Sequence, residues 1–221
     1  SEVCELKNII DKNKYELKEY LDDYIKWGGL PQRFEFDYEM QIKTYLIDVY
    51  DSIIVKDIIE RFEIKDLDLF NRIVEYIVTT PSETFSAETL ANYFLGKEER
   101  KVAKNTLYNY LEYMVKGNLI NKCERYDIRG KRILSGKYKY YLTDLGLGMI
   151  KSINRKPQMG AYLENIVYNE LLVRGYEVSV GNIQNGEIDF IATKDNKIEY
   201  YQVTYTLANE KTIAREFDAY K

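Results

Sequence analysis

The chain has 221 residues and 45% hydrophobic content, enough for two compact domains or for one domain with a helical extension. No apolar run approaches the roughly 20 residues that span a bilayer, and the first residues lack the basic start and apolar core of a secretory signal, so a soluble, cytoplasmic protein without membrane contact is expected. There is no histidine, which excludes His-activated nucleophiles, histidine general bases and ordinary catalytic zinc sites. The remaining chemistry rests on carboxylates, amides, hydroxyls and cations, and Mg²⁺ is the one cofactor that suits these oxygen donors.

The net charge of −4 is unevenly spread. Residues 1–63 carry 9 basic and 15 acidic side chains, whereas residues 97–139 carry 12 basic and 5 acidic, a local +7. For an anionic partner the local field matters more than the sum. Cys4 and Cys123 lie far apart and in no metal-like spacing, and read as reduced structural thiols.

Residues 1–63 read as a helical segment. One helical pattern ends at Gly28, Gly29 and Pro31, and a second runs from about Tyr38 to Phe62 with Ile42, Tyr45, Leu46, Val49, Ile53 and Ile54 along one face. Over residues 64–153 the order is helix, short helix, longer helix and two strands, which predicts a winged helix-turn-helix. Ser86 is a suitable N-cap, Gly117–Asn118 a stop for the third helix, and Arg129-Gly130-Lys131 the tip of the wing. Residues 154–159, polar with Pro157, form the expected linker. Residues 160–221 then read as a helix, three strands and a final helix from about Asn209. The expected class is α+β and α/β multidomain. The chain lacks an initiator Met and stops inside a helical pattern, so both ends read as cuts through a larger protein.

In a winged helix the third helix turns its exposed face to a nucleic-acid groove and the wing reaches the backbone. Leu107, Leu111 and Met114 would face the core, leaving Lys101, Lys104, Asn105, Tyr108 and Asn109 outward. The wing adds Arg129, Lys131 and Arg132, flanked by Lys122, Arg125, Lys137 and Lys139. Cations at these places suit phosphates, and two asparagines one turn apart suit base edges. Nucleic acid, DNA first, is the expected partner. A protein-interaction adaptor whose hairpin carries ordinary solvated charges is the alternative. Tyr138, Tyr140 and Tyr141 read as hairpin packing residues.

The last segment places Glu164 on its helix, Asp189 in its second strand and Gln202 in its third. This order resembles the restriction-endonuclease-like fold, whose active members use a helix Glu, a strand Asp, and an acidic residue or Gln two positions before a Lys. The resemblance implies a catalytic set of Glu164, Asp189 and Gln202, with Asp189 and Gln202 approaching Mg²⁺ beside the carbonyl of Val203. The Lys position holds Thr204, a neutral hydroxyl that stabilises no charge on phosphate, so the site reads as degenerate and cleavage as slow or absent. Arg215 or Lys211, on the expected final helix, would be the replacement cation. Of Glu187 and Asp189, which flank Ile188, one is expected to face solvent. Gly130 to Tyr138 imitates a P-loop but has five residues between its glycines and Tyr after its Lys, so no nucleotide site is expected.

Together the stretches WGGLPQ (27–32), VYDSIIVKDIIERF (49–62), TLYNYLEYMVKGNLI (106–120), KYYLTDLGLG (139–148), GAYLENIVYNELLVRGYEV (160–178), EIDFIA (187–192) and YYQVTYTL (200–207) resemble the carboxyl-terminal half of a family of prokaryotic AAA-plus-type ATPases. The resemblance implies that residues 1–63 belong to the helical lid, that an ATPase module works in cis, and that ATP is bound by a longer parent protein and not by this chain.

Overall fold

The computed structural model describes residues 17–80, 82, 84–130, 132–151, 159–183 and 186–204. It is mixed α and β. The described residues fall into two compact units, one drawn from Ser1–Thr80, Lys116–Leu119 and Leu142–Lys156, the other from Pro81–Val115, Ile120–Tyr141 and Pro157–Lys221. No helix among the described residues is long and apolar enough to cross a membrane.

The first unit is helical: α1 (Leu17–Trp27), a 3₁₀ turn (Pro31–Glu35), α2 (Glu39–Ser52), a π-helical continuation (Ile53–Glu60), α3 (Leu67–Thr79) and the short α6 (Leu145–Met149). The run expected from Tyr38 to Phe62 is thus one helix that widens midway. Asp66 caps α3 by accepting from the Leu69 N–H at 3.1 Å. Leu46, Ile54, Ile58, Phe70, Ile73, Val74 and Ile77 are buried at helical spacing.

Two of the motifs quoted above meet in this unit as a clasp. The buried carboxylate of Asp144 accepts from the Gly29 N–H at 2.7 Å and from the Gly146 N–H at 2.8 Å. Buried Arg33 donates to the Gly28 carbonyl at 2.7 Å and pairs with Asp23 at 2.8 Å. Gly28 has φ +74°, and a Cβ there would collide with the Asp144 carboxylate, so this turn admits only glycine.

The second unit is built on one six-stranded sheet, in the order β1-β3-β2-β4-β5-β6. Its elements are β1 (Thr84–Phe85), α4 (Ala87–Glu98), α5 (Lys104–Lys116), β2 (Ile120–Asp127), β3 (Arg132–Leu142), α7 (Met159–Val173), β4 (Glu177–Ile183), β5 (Gly186–Lys194) and β6 (Lys197–Tyr201). Ser86 caps α4 as expected, accepting from the Thr89 N–H at 3.1 Å, and Asn118 adopts φ +54° just past α5. β2 pairs in parallel with β4, setting Arg125 opposite Val180 and Asp127 opposite Asn182. β4, β5 and β6 form an antiparallel meander with Ala192 opposite Val178 and Glu199. The α7 side of the sheet buries Cys123, Tyr141, Tyr168, Leu171, Val180, Phe190 and Ala192. Tyr141 and Tyr168 are stacked there with centroids 4.1 Å apart.

The compact units cut across the expected boundaries at 63/64, 153/154 and 159/160. The hairpin β2–β3, read as a free wing, shares its sheet with the segment after residue 160, because the β2 edge is hydrogen-bonded to β4. Of the expected linker only Met159 is described, and it begins α7. The expected final helix, with Lys211 and Arg215, lies outside the described residues, as does Lys131.

Candidate functional site

The strand period of two puts Lys139 and Tyr141 on one face of β3, and both reach Glu164 on α7. Lys139 Nζ lies 2.9 Å from Glu164 Oε1 and 2.5 Å from Glu187 Oε1, and the Tyr141 hydroxyl donates to Glu164 Oε1 at 2.8 Å. Arg125 from β2 completes the chain of charges, donating to Glu187 Oε2 at 2.8 Å and to Asn182 Oδ1 at 3.0 Å. Lys139 is only 6% exposed. Burial works against its charge, but Glu164 and Glu187 outweigh burial and hold its pKa above the ordinary lysine value.

Asp189 stands beside this chain. Its Oδ2 accepts from the Val203 N–H at 2.7 Å, and its own N–H donates to Gln202 Oε1 at 3.3 Å. Burial pushes its carboxyl up to about 6. The Val203 N–H pulls it down, Glu164 pushes it up, and Lys139 and Glu187 act in opposite senses. The three residues read as a catalytic set are therefore brought into one neighbourhood. Val203 offers Asp189 its N–H, and the Gln202 carboxamide oxygen accepts from the Asp189 backbone; Gln202 and Thr204, expected within the third strand, lie just past the end of β6 at Tyr201. Neither Glu187 nor Asp189 is solvent-facing, since both are partly buried. Thr204 is partly buried too. Among the described residues no group of three or more Asp, Glu, Cys or His is arranged to hold a metal ion.

The residue that sequence reasoning missed is Lys139. It was counted among the outward cations of the wing, yet it is the cation placed among these carboxylates. Its alternation with Tyr138 and Tyr140 was the available signal, because an apolar hairpin face leaves the intervening positions to point the other way. Cys123, buried beneath the same cluster, has its thiol pushed up to about 12 by burial, which makes it an inert packing residue.

The outward cations divide sharply. On α5, Leu107, Tyr110, Leu111 and Met114 are buried, while Lys104, Asn105, Tyr108 and Asn109, and Lys101 just before the helix, are all exposed. Lys104 pairs with Glu88 at 2.7 Å in an exposed contact worth at most about 1 kcal/mol. Arg129 and Arg132 are exposed at the hairpin tip, with Asp127 3.9 Å from Arg132. Lys122 is held by Glu112 at 2.7 Å and lies over the Tyr138 ring, and Arg125 and Lys139 are committed inward. Tyr140 is buried and Tyr138 partly so, as hairpin packing requires. Gly130 sits in the turn between β2 and β3 and Gly136 within β3, a hairpin and not the strand-to-helix loop that cradles phosphate.

The chain is 32% identical over 206 residues to an uncharacterized protein of Haemophilus influenzae, an alignment covering 93% of this chain and 51% of that protein. It is also 32% identical over 232 residues to the uncharacterized protein MJ1544 of Methanocaldococcus jannaschii, covering 100% of this chain and 51% of that protein. The chain thus spans about half the length of the curated relatives it matches. No solved structure matches it. A family model described as a domain of unknown function (DUF8612) matches residues 18–156. Lys139, Tyr141 and Arg125 lie inside that stretch and Glu164, Glu187, Asp189 and Gln202 beyond it. With well over half its length matched by that model, the chain belongs to the DUF8612 family.

Proposed function

We propose that this chain binds nucleic acid, DNA first, through the exposed face of α5 and the hairpin tip, as the accessory part of a longer ATP-binding protein. The order α3, β1, α4, α5, β2, β3, with β1 and β2 flanking β3, supports a winged helix. The order α7, β4, β5, β6 with Glu164, Asp189 and Gln202 supports a nuclease-like module. The exposed run Lys101, Lys104, Asn105, Tyr108 and Asn109 carries the reading, because cations and neutral amides are the groups that meet phosphates and base edges. The test is fluorescence anisotropy with a labelled duplex at low salt. Lys101→Glu with Lys104→Glu should weaken binding about tenfold or more and equally for all sequences. Unchanged binding by the double variant overturns the reading.

A second reading, a Mg²⁺-dependent nuclease, is favoured by one observation. Lys139 Nζ lies among Glu164 and Glu187, and its charge acts on Asp189, so a cation is present although Thr204 occupies the expected position. On this reading Lys139 would take the place first assigned to Arg215 or Lys211.

A further inference from the structure

Asn105 and Asn109 lie one helical turn apart on α5, both exposed, with Tyr108 40% exposed between them. Neither carboxamide has a hydrogen-bond partner among the described residues. Asparagine is a poor helix former because its amide competes for backbone groups, so two of them on a solvent face weaken α5 without any local return. The first turn of α5 contains no acidic side chain, and its one acidic residue, Glu112, is tied to Lys122. The start of the helix therefore offers two planar amides without a partner among the described residues, the exposed cation Lys104 at its first position with Lys101 three residues ahead of it, and the positive end of the helix dipole. A planar amide matches the major-groove edge of adenine: its N–H donates to N7 and its oxygen accepts from the N6 amino group.

We infer that Asn105 and Asn109 are base-reading residues that recognise adenines in the major groove of a DNA duplex, while Lys101 and Lys104 hold the flanking phosphates. The inference rests on the nucleic-acid reading above. The hairpin strands take no part, since Arg125 and Lys139 are turned into the carboxylate cluster and the β2 edge is sealed by β4.

The experiment is selection from a DNA duplex pool randomised over about ten central base pairs, followed by anisotropy on the enriched duplex and on its A-to-G derivatives. The parent should enrich adenine at positions about one turn of α5 apart. It should discriminate each derivative by roughly 5- to 100-fold. Asn105→Ala and Asn109→Ala, which improve helix propensity and so keep the fold, should each flatten one position, so that the enriched duplex and its A-to-G derivative at that position are bound alike. Salt-sensitive binding with no base enrichment, or enrichment that survives both substitutions, overturns the inference and leaves the nucleic-acid reading standing. Binding to single strands alone also overturns it, because no groove is then read. No binding to any probe at low salt removes both.

Discussion

Asp189 pairs a raised carboxyl with two acidic neighbours, and the consequence is a pH dependence whose sign can be worked out. Its pKa is about 6 in the folded chain against an ordinary 3.8, so the folded state favours the protonated form. The stability this contributes is complete below about pH 4 and is lost as pH rises through 6, which amounts to about 2 kcal/mol for a group still in partial contact with water. Asp189→Asn cannot ionise. In urea titrations the variant should therefore gain on the parent by about 1 kcal/mol between pH 5 and pH 7.5, the rest of the difference falling below pH 5. A gap that stays constant over that range would show that Asp189 is already charged at pH 5. The residues of this neighbourhood were legible to different degrees. Glu164, Asp189 and Gln202 could be picked out because their order along a helix and two strands resembles the restriction-endonuclease-like arrangement, although β6 ends at Tyr201, one residue before Gln202. Lys139 was only half legible: its alternation with Tyr138 and Tyr140 gives its face of the strand, but its partners depend on β2 pairing in parallel with β4, a contact between residues more than fifty positions apart that no local spacing encodes.

At the scale of elements, the hairpin β2–β3 does two jobs that its sequence does not separate. Its strands supply Arg125, Lys139 and Tyr141 to the carboxylate cluster, and its tip keeps Arg129 and Arg132 at the surface. The helices and strands were legible from their periodicities, including the cap at Ser86 and the inward face of α5. The free wing was not, since a basic strand reads the same whether its charges meet water or buried carboxylates. The commitment of Lys139 bears on both nuclease outcomes. With Mg²⁺ or Mn²⁺ supplied, the chain should cut DNA or RNA very slowly or not at all, because Lys139 is already bound to Glu164 and Glu187, and Asp189 Oδ2 and Gln202 Oε1 accept internal hydrogen bonds. Lys139→Met should lower stability by about 3–5 kcal/mol by leaving buried carboxylates without their cation, read as a fall in Tm. Robust cleavage by the parent, abolished both by Asp189→Ala and by Lys139→Arg with Tm preserved, would instead establish the nuclease reading with Lys139 as its cation.

For the whole molecule, chain order and compact units part company. Each unit is assembled from three separate stretches of chain, so no contiguous excision recovers either of them. The sequence divides naturally at the polar run 154–159, and that division predicts a 160–221 piece able to fold by itself. The sheet argues otherwise. Cut there, β4 loses its parallel partner β2, Tyr168 loses the ring of Tyr141 stacked on it, and Glu164 and Glu187 lose Lys139 and Arg125. Carboxylates left partly buried without their cations cost about 3–5 kcal/mol, comparable to the whole stability of a domain of about 60 residues. A 160–221 fragment should therefore show no cooperative thermal transition by circular dichroism and collapsed amide dispersion by NMR, under conditions where the full chain gives both. Adding residues 120–141 in trans should restore them in part, because that stretch brings β2 and β3 together with all four partners. A fragment 160–221 that melts cooperatively alone would mean that the αβββ core carries its own stability and that β2 is an addition to a finished sheet.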